Sequence, residues 1–122
     1  MLPDEIWPTV QIPSKKESAY FTVKFQEGLP ITLNGKKMAG VEIIKKLNQL
    51  GSAYGFGKDY HIGTTIIGIK GRIAFEAPAL KILIKAHSEL EKIILTSKQI
   101  FWGNILGTTY GDLIHEGLYF DP

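Results

Sequence analysis

The sequence predicts an α+β fold, with a small, mainly antiparallel sheet packed against about three helices. Three observations carry that expectation. Residues Tyr20 to Phe25 alternate, with Phe21, Val23 and Phe25 on one face and Tyr20, Thr22 and Lys24 on the other, the period of a half-buried strand. Two later stretches instead repeat their apolar residues every three or four positions, the period of a helix packed on one side. The order strand, strand, helix, strand, strand, helix, helix lacks the regular βαβ alternation that a parallel sheet requires.

Taken in order, residues 1–18 hold Pro3, Pro8 and Pro13, a density that excludes helix interiors and central strands, so they predict an extended arm anchored by Ile6 and Trp7. After the strand at 20–25, Glu27-Gly28-Leu29-Pro30 turns the chain, and Ile31 to Leu33 returns as the hairpin partner before Asn34-Gly35 ends it. From about Ala39 to Tyr54, Val41, Ile44, Leu47 and Leu50 recur at helical spacing, with Lys45, Lys46 and Asn48 on the far side. Strands are expected at about Ile66 to Lys70 and Arg72 to Phe75, meeting at a Lys70-Gly71-Arg72 corner. Such a corner serves either as an anion site or as a solvated turn. Pro78 then suits the first position of a helix, where its missing N–H costs nothing. That helix carries Leu80, Leu83, Ile84, His87, Leu90 and Ile94 on one stripe. Thr96 to Gln99 matches a capping box, so a further helix begins there, with Gly107-Thr108-Thr109 interrupting it before Tyr110 to His115.

At 122 residues the chain makes one domain, and 44% hydrophobic with 21% charged residues describes an ordinary globular protein. The net charge of +2, from 14 basic and 12 acidic residues, gives no footprint for nucleic acid. Cysteine is absent, which removes disulfides and thiolate metal sites. No apolar run reaches the length of a membrane span, and the acidic, proline-bearing N-terminus has the wrong chemistry for a secretory signal. A cytoplasmic location, without membrane or nucleic-acid partners, is expected.

Familiar catalytic arrangements fail on spacing. Gly51-Ser52-Ala53-Tyr54-Gly55-Phe56-Gly57-Lys58 ends in Gly-Lys, but Ser52 stands where a phosphate loop needs glycine and Asp59 where it needs Ser or Thr. Helix termination explains those glycines better. His115-Glu116 lacks the second histidine of a zinc protease, because position 119 is Tyr. His61, His87 and His115 share no period, and His87 reads as a hydrogen-bonded core histidine. Glu89 and Glu91, two apart on a helix, point to different faces. No catalytic residues or metal ligands are assigned.

The order of several blocks carries more than any one of them. L-P-D-E-I-W (Leu2 to Trp7) opens the series, followed by E-G-L-P-I-T-L-N-G-K-K (Glu27 to Lys37) and V-E-I-I-K-K-L-N-Q-L-G (Val41 to Gly51). Then come Y-G-F-G-K-D (Tyr54 to Asp59), G-I-K-G-R-I-A-F-E-A-P (Gly68 to Pro78), A-H-S-E-L-E-K (Ala86 to Lys92) and Y-G-D-L-I-H-E-G-L-Y-F-D-P (Tyr110 to Pro122). This succession resembles the synthetase domain of argininosuccinate synthases, which follows their nucleotide-binding domain, and the likeness covers nearly the whole chain.

The resemblance implies part of an ATP- and magnesium-dependent ligase that joins citrulline and aspartate, releasing AMP and pyrophosphate. It implies residues 1–18 as an inter-domain arm and 19–122 as a synthetase and multimerisation domain truncated at its C-terminus, inactive alone and tetrameric when full-length. A free-standing binding or oligomerisation module descended from that domain is the alternative. The family pattern I-V-E-N-R-x-x-G-x-K-S-R-G-x-Y-E-T-P has a Glu and a Tyr that contact the amino-acid end of citrulline. Aligned on Gly68, Lys70 and Arg72, those two positions fall on Gly63 and Phe75, so the carboxylate and the phenolic hydroxyl are both lost. Lys70, Arg72 and Glu76 match the pattern and are expected around the pocket with Gly63 and Phe75. Asp59 or Glu76 is the candidate replacement for the missing carboxylate.

Overall fold

Two tight turns build the first sheet. Glu27 and Gly28 have φ of 50° and 79°, and Asn34 and Gly35 have 51° and 76°, the positive-φ pairs that match the twist of antiparallel strands. They join β1 (Val23–Gln26), β2 (Leu29–Leu33) and β3 (Lys36–Lys37) into a three-stranded antiparallel sheet in that order. The sequence expectation closed this hairpin at Gly35 and missed β3, a two-residue strand too short to show a period. The register slips between Lys24 and Phe25, which face Thr32 and Pro30 and leave Ile31 as the extra residue of a bulge. The bulge falls beside Pro30, which lies beyond the reach of β3. The computed structural model describes residues 3, 6–10, 18–65, 67–118 and 120. Of the expected arm, residues 1, 2, 4, 5 and 11–17 therefore lie outside the described residues. Within the arm Trp7 and Val10 are buried, whereas Ile6 is exposed.

Helix α1 (Gly40–Ala53) turns Ile43, Leu47 and Gly51 inward, while Val41 and Ile44 are exposed. Of the expected stripe, Leu47 is in the core and Leu50 packs against it, but Ile43 takes the inward place expected of Val41 and Ile44, meeting Leu33 of β2 and Ala79 of α2 together with Leu47. Helix α2 (Pro78–Ile94) begins on Pro78 and has no side-chain cap of its own. Asn48 of α1, expected on the solvent side, instead accepts from the Ala79 N–H at 2.9 Å and satisfies a donor of that first turn. Leu80, Ile84 and Ile94 of the expected α2 stripe are exposed, whereas Ile82 and Leu83 pack against the core.

A second, two-stranded antiparallel sheet pairs β4 (Lys58–Thr64) with β5 (Lys70–Glu76), which contains the strand expected at 72–75 but not the one expected at 66–70. Ile66 lies outside the described residues. Residues 67–69 belong to the turn, where Thr65 donates its N–H to the Ile69 carbonyl at 2.9 Å and accepts the Gly68 N–H at 2.8 Å. Lys70-Gly71-Arg72 therefore starts β5 and forms no corner. Lys58–Thr64 escaped the pattern search because most of it is exposed or half-buried on both faces, so its sequence has no reason to alternate. Helix α3 (Ser97–His115) carries the expected capping box but runs unbroken through Gly107. The Thr108 and Thr109 hydroxyls donate to the carbonyls of Asn104 and Ile105 at 2.9 and 3.0 Å, so both threonines stay within the helix.

Candidate functional site

All five residues singled out from the sequence lie on the β4–β5 ribbon, and its register divides them between two faces. Cross-strand partners share a face and successive residues alternate. Glu76 pairs with Lys58, Arg72 with Ile62 and Lys70 with Thr64, so Lys70, Arg72 and Glu76 share one face with Lys58 and Tyr60. Phe75 pairs with Asp59 and Gly63 with Gly71, so Gly63 and Phe75 share the opposite face with Asp59 and His61. The ribbon thus brings together the three residues that match the family pattern and separately gathers the two that depart from it.

On the first face the two ends differ. Lys70 and Arg72 are exposed and form no ion pair among the described residues. Glu76, at the other end, is half-buried and engaged. The Thr9 N–H donates to both its oxygens at 3.1 Å, the Val10 N–H donates to Oε1 at 2.7 Å, and the Thr9 hydroxyl donates to Oε2. Burial alone would raise the Glu76 pKa, but the hydrogen bonds from Thr9 and Val10, with the nearby Lys58 charge, outweigh it and hold the carboxyl below its ordinary value. Lys58 lies over the Trp7 ring, 5.7 Å from its centre.

On the second face Asp59 is bonded to Lys81 of α2 and accepts from its neighbour's N–H, that of Tyr60, at 2.8 Å. The Lys81 hydrogen bond, followed by that of Tyr60, lowers the Asp59 pKa. Both carboxylates considered as replacements for the missing family Glu are therefore already bonded to protein donors. Position 63 itself is occupied from the side. A Cβ on Gly63 would lie 2.3 Å from Nε2 of His61, so any side chain there requires the imidazole to rotate away.

Elsewhere, His87 sits 3.3 Å from Glu91 and edge-on to Phe25, half-buried between α2 and the first sheet. An apolar groove of about 250 Å³ between Phe21, Leu50, Tyr54, Phe56 and Ile82 contains none of the five predicted residues. In the glycine-rich stretch, Pro78 packs closely against Gly51 and Gly57. A Cβ at Gly51 or Gly57 would meet Pro78 at 2.6 Å. No helix among the described residues is long and apolar enough to cross a membrane. Trp7 was expected as an anchor of the arm and is buried, but sequence reasoning missed the contacts of Thr9 and His61. Thr9 and Glu76 are 67 residues apart and carry no joint signal, whereas His61 stands two positions from Gly63, the same-face spacing of a strand.

Comparison with known proteins extends these observations. The family model described as "Arginosuccinate synthase C-terminal domain" matches residues 1–122. The chain is 38% identical over 121 residues to an argininosuccinate synthase of Methanocaldococcus jannaschii, covering 98% of the chain and 31% of that protein. It is 41% identical over 124 residues to an argininosuccinate synthase of Pyrococcus furiosus, covering 98% of the chain and 30% of that protein. A third, from Xanthomonas campestris, is 41% identical over 120 residues, covering 98% of the chain and 28% of that protein. The chain thus spans about 30% of the length of these curated relatives.

Proposed function

We propose, from the premise that this chain belongs to the argininosuccinate synthase C-terminal domain family, that it works as the synthetase-domain part of such a ligase. The whole enzyme would join citrulline and aspartate at the expense of ATP with magnesium, releasing AMP and pyrophosphate, in the cytoplasm and as a homo-oligomer. The observation that carries this reading is similarity to argininosuccinate synthases across 98% of the chain, with the family model matching residues 1–122.

Within that reading the β4–β5 ribbon is this chain's contribution to the citrulline side of the site. The face that holds Gly63 and Phe75 takes the amino-acid end of citrulline, and Lys70 and Arg72, on the opposite face, do not share that contact. Phe75 supplies an apolar wall, and Gly63 with His61 occupies the place of the family carboxylate. A bound α-ammonium would then meet an imidazole in place of a carboxylate, a weaker partner unless other groups of the complete enzyme make up the charge. Nucleotide and magnesium are assigned to parts of the enzyme other than this chain's glycine-rich stretch, where Pro78 packs closely against Gly51 and Gly57.

A chimera tests the reading. This chain replaces the matching segment of the Methanocaldococcus jannaschii enzyme, and the product is introduced into an arginine-requiring bacterium that lacks its own argininosuccinate synthase. Growth without arginine is the expected result. A chimera that accumulates folded but restores no growth would favour a binding or oligomerisation module.

A further inference from the structure

The segment Trp7–Val10 and residue Glu76 are remote in sequence, yet the carboxylate is filled by that segment. Four hydrogen bonds converge on it, from the Thr9 N–H to both oxygens, the Val10 N–H to Oε1 and the Thr9 hydroxyl to Oε2. A carboxylate offers about four lone-pair positions, so little acceptor capacity remains for a ligand. The flanking side chains agree. Trp7 is 6% exposed and Val10 is fully buried. Lys58, the cross-strand partner of Glu76, covers the Trp7 ring, so both ends of the segment meet the same rung of the ribbon.

We propose that Glu76 is a positioning residue, whose carboxylate docks the Trp7–Val10 segment onto the Lys58–Glu76 rung and does not contact substrate. The ribbon that presents Lys70 and Arg72 is thereby tied at its base to the N-terminal segment on one face. On the other face the Asp59–Lys81 pair ties it to α2. Losing the carboxylate leaves two backbone N–H groups without their acceptor and releases Trp7. The inference does not depend on the reaction proposed above and is tested on the chain alone, so its failure and the failure of that reading are separable.

Trp7 is the reporter. The chain has two tryptophans, and Trp102 is exposed, so Trp102→Phe leaves a single buried fluorophore. In that background Glu76→Ala is expected to shift Trp7 emission to the red and raise acrylamide quenching about threefold, as local detachment without global unfolding predicts. Glu76→Gln, which keeps one acceptor oxygen, is expected to fall between. Unchanged quenching in Glu76→Ala, with native circular dichroism, overturns the proposal. Hydrogen exchange on the unsubstituted chain decides the case should that variant not fold. The Thr9 and Val10 amides are expected to exchange at least about tenfold more slowly than in an unstructured peptide. Exchange at the unstructured rate overturns the assignment. In an active chimera, a rise in the citrulline KM of Glu76→Ala without loss of Trp7 burial would make Glu76 a substrate ligand and overturn it as well.

Discussion

An alanine at position 57 would place its Cβ 2.6 Å from Pro78, in a backbone whose φ of +116° L side chains rarely adopt. Close approach and backbone conformation both demand glycine here, at the point where β4 leaves α1 and α2 begins. Gly57→Ala is therefore expected to destabilise the chain by about 1–3 kcal/mol, the cost of a strained backbone position. A lower urea midpoint at unchanged slope would register it. Charge effects belong to this scale too. Lys85 and then Lys92 hold Glu89 in hydrogen bonds that lower its pKa from 4.5 to about 2. A depressed folded-state pKa means a stabilising contribution that is full above the unfolded value of 4.5 and lost as pH falls towards about 2. Glu89→Gln should lower stability above that window and leave it unchanged at its acid end, which denaturation at a series of pH values checks.

Among the elements, α3 was the most legible from sequence, because Thr96 and Gln99 form a reciprocal cap that four residues suffice to reveal. Thr96→Ala is expected to cost about 1 kcal/mol and to fray the first turn of α3, seen as lost helical signal before global unfolding. The helix α1 was legible in extent and at Leu47 and Leu50, but not in its first turn. Val41 and Ile44 look as apolar as Ile43, and only contact with the core of Leu33, Leu47 and Ala79 decides that Ile43 is the one buried. The ribbon was the least legible, since Lys58–Thr64 is largely open on both faces and no burial imposed a period on it. The five candidate site residues came from the family pattern rather than from periodicity, and that pattern could not say that the register would divide them between two faces. The Thr9–Glu76 contact was beyond reach, because a hydrogen bond between remote residues leaves no local signature.

At the scale of the whole molecule the described core is small, centred on Leu33, Ile43, Leu47 and Ala79, and α3 contributes no buried residue to it. Phe101, Trp102, Leu106 and Tyr110 are each more than half exposed along that helix. Exposed apolar side chains gathered on one helix are the kind of surface that association covers. The chain is expected to self-associate through α3, with light scattering showing a mass that rises with concentration. A strict monomer at about 100 μM, which means association weaker than about 5 kcal/mol, would show that this surface is tolerated in water. The proposed ligase role has a more direct test, the citrulline-dependent release of pyrophosphate by the purified chimera. The expected result is release matched one for one by argininosuccinate formed, with none from the 122-residue chain alone. A folded chimera that still binds ATP and aspartate but releases no pyrophosphate when citrulline is added would contradict the proposed function.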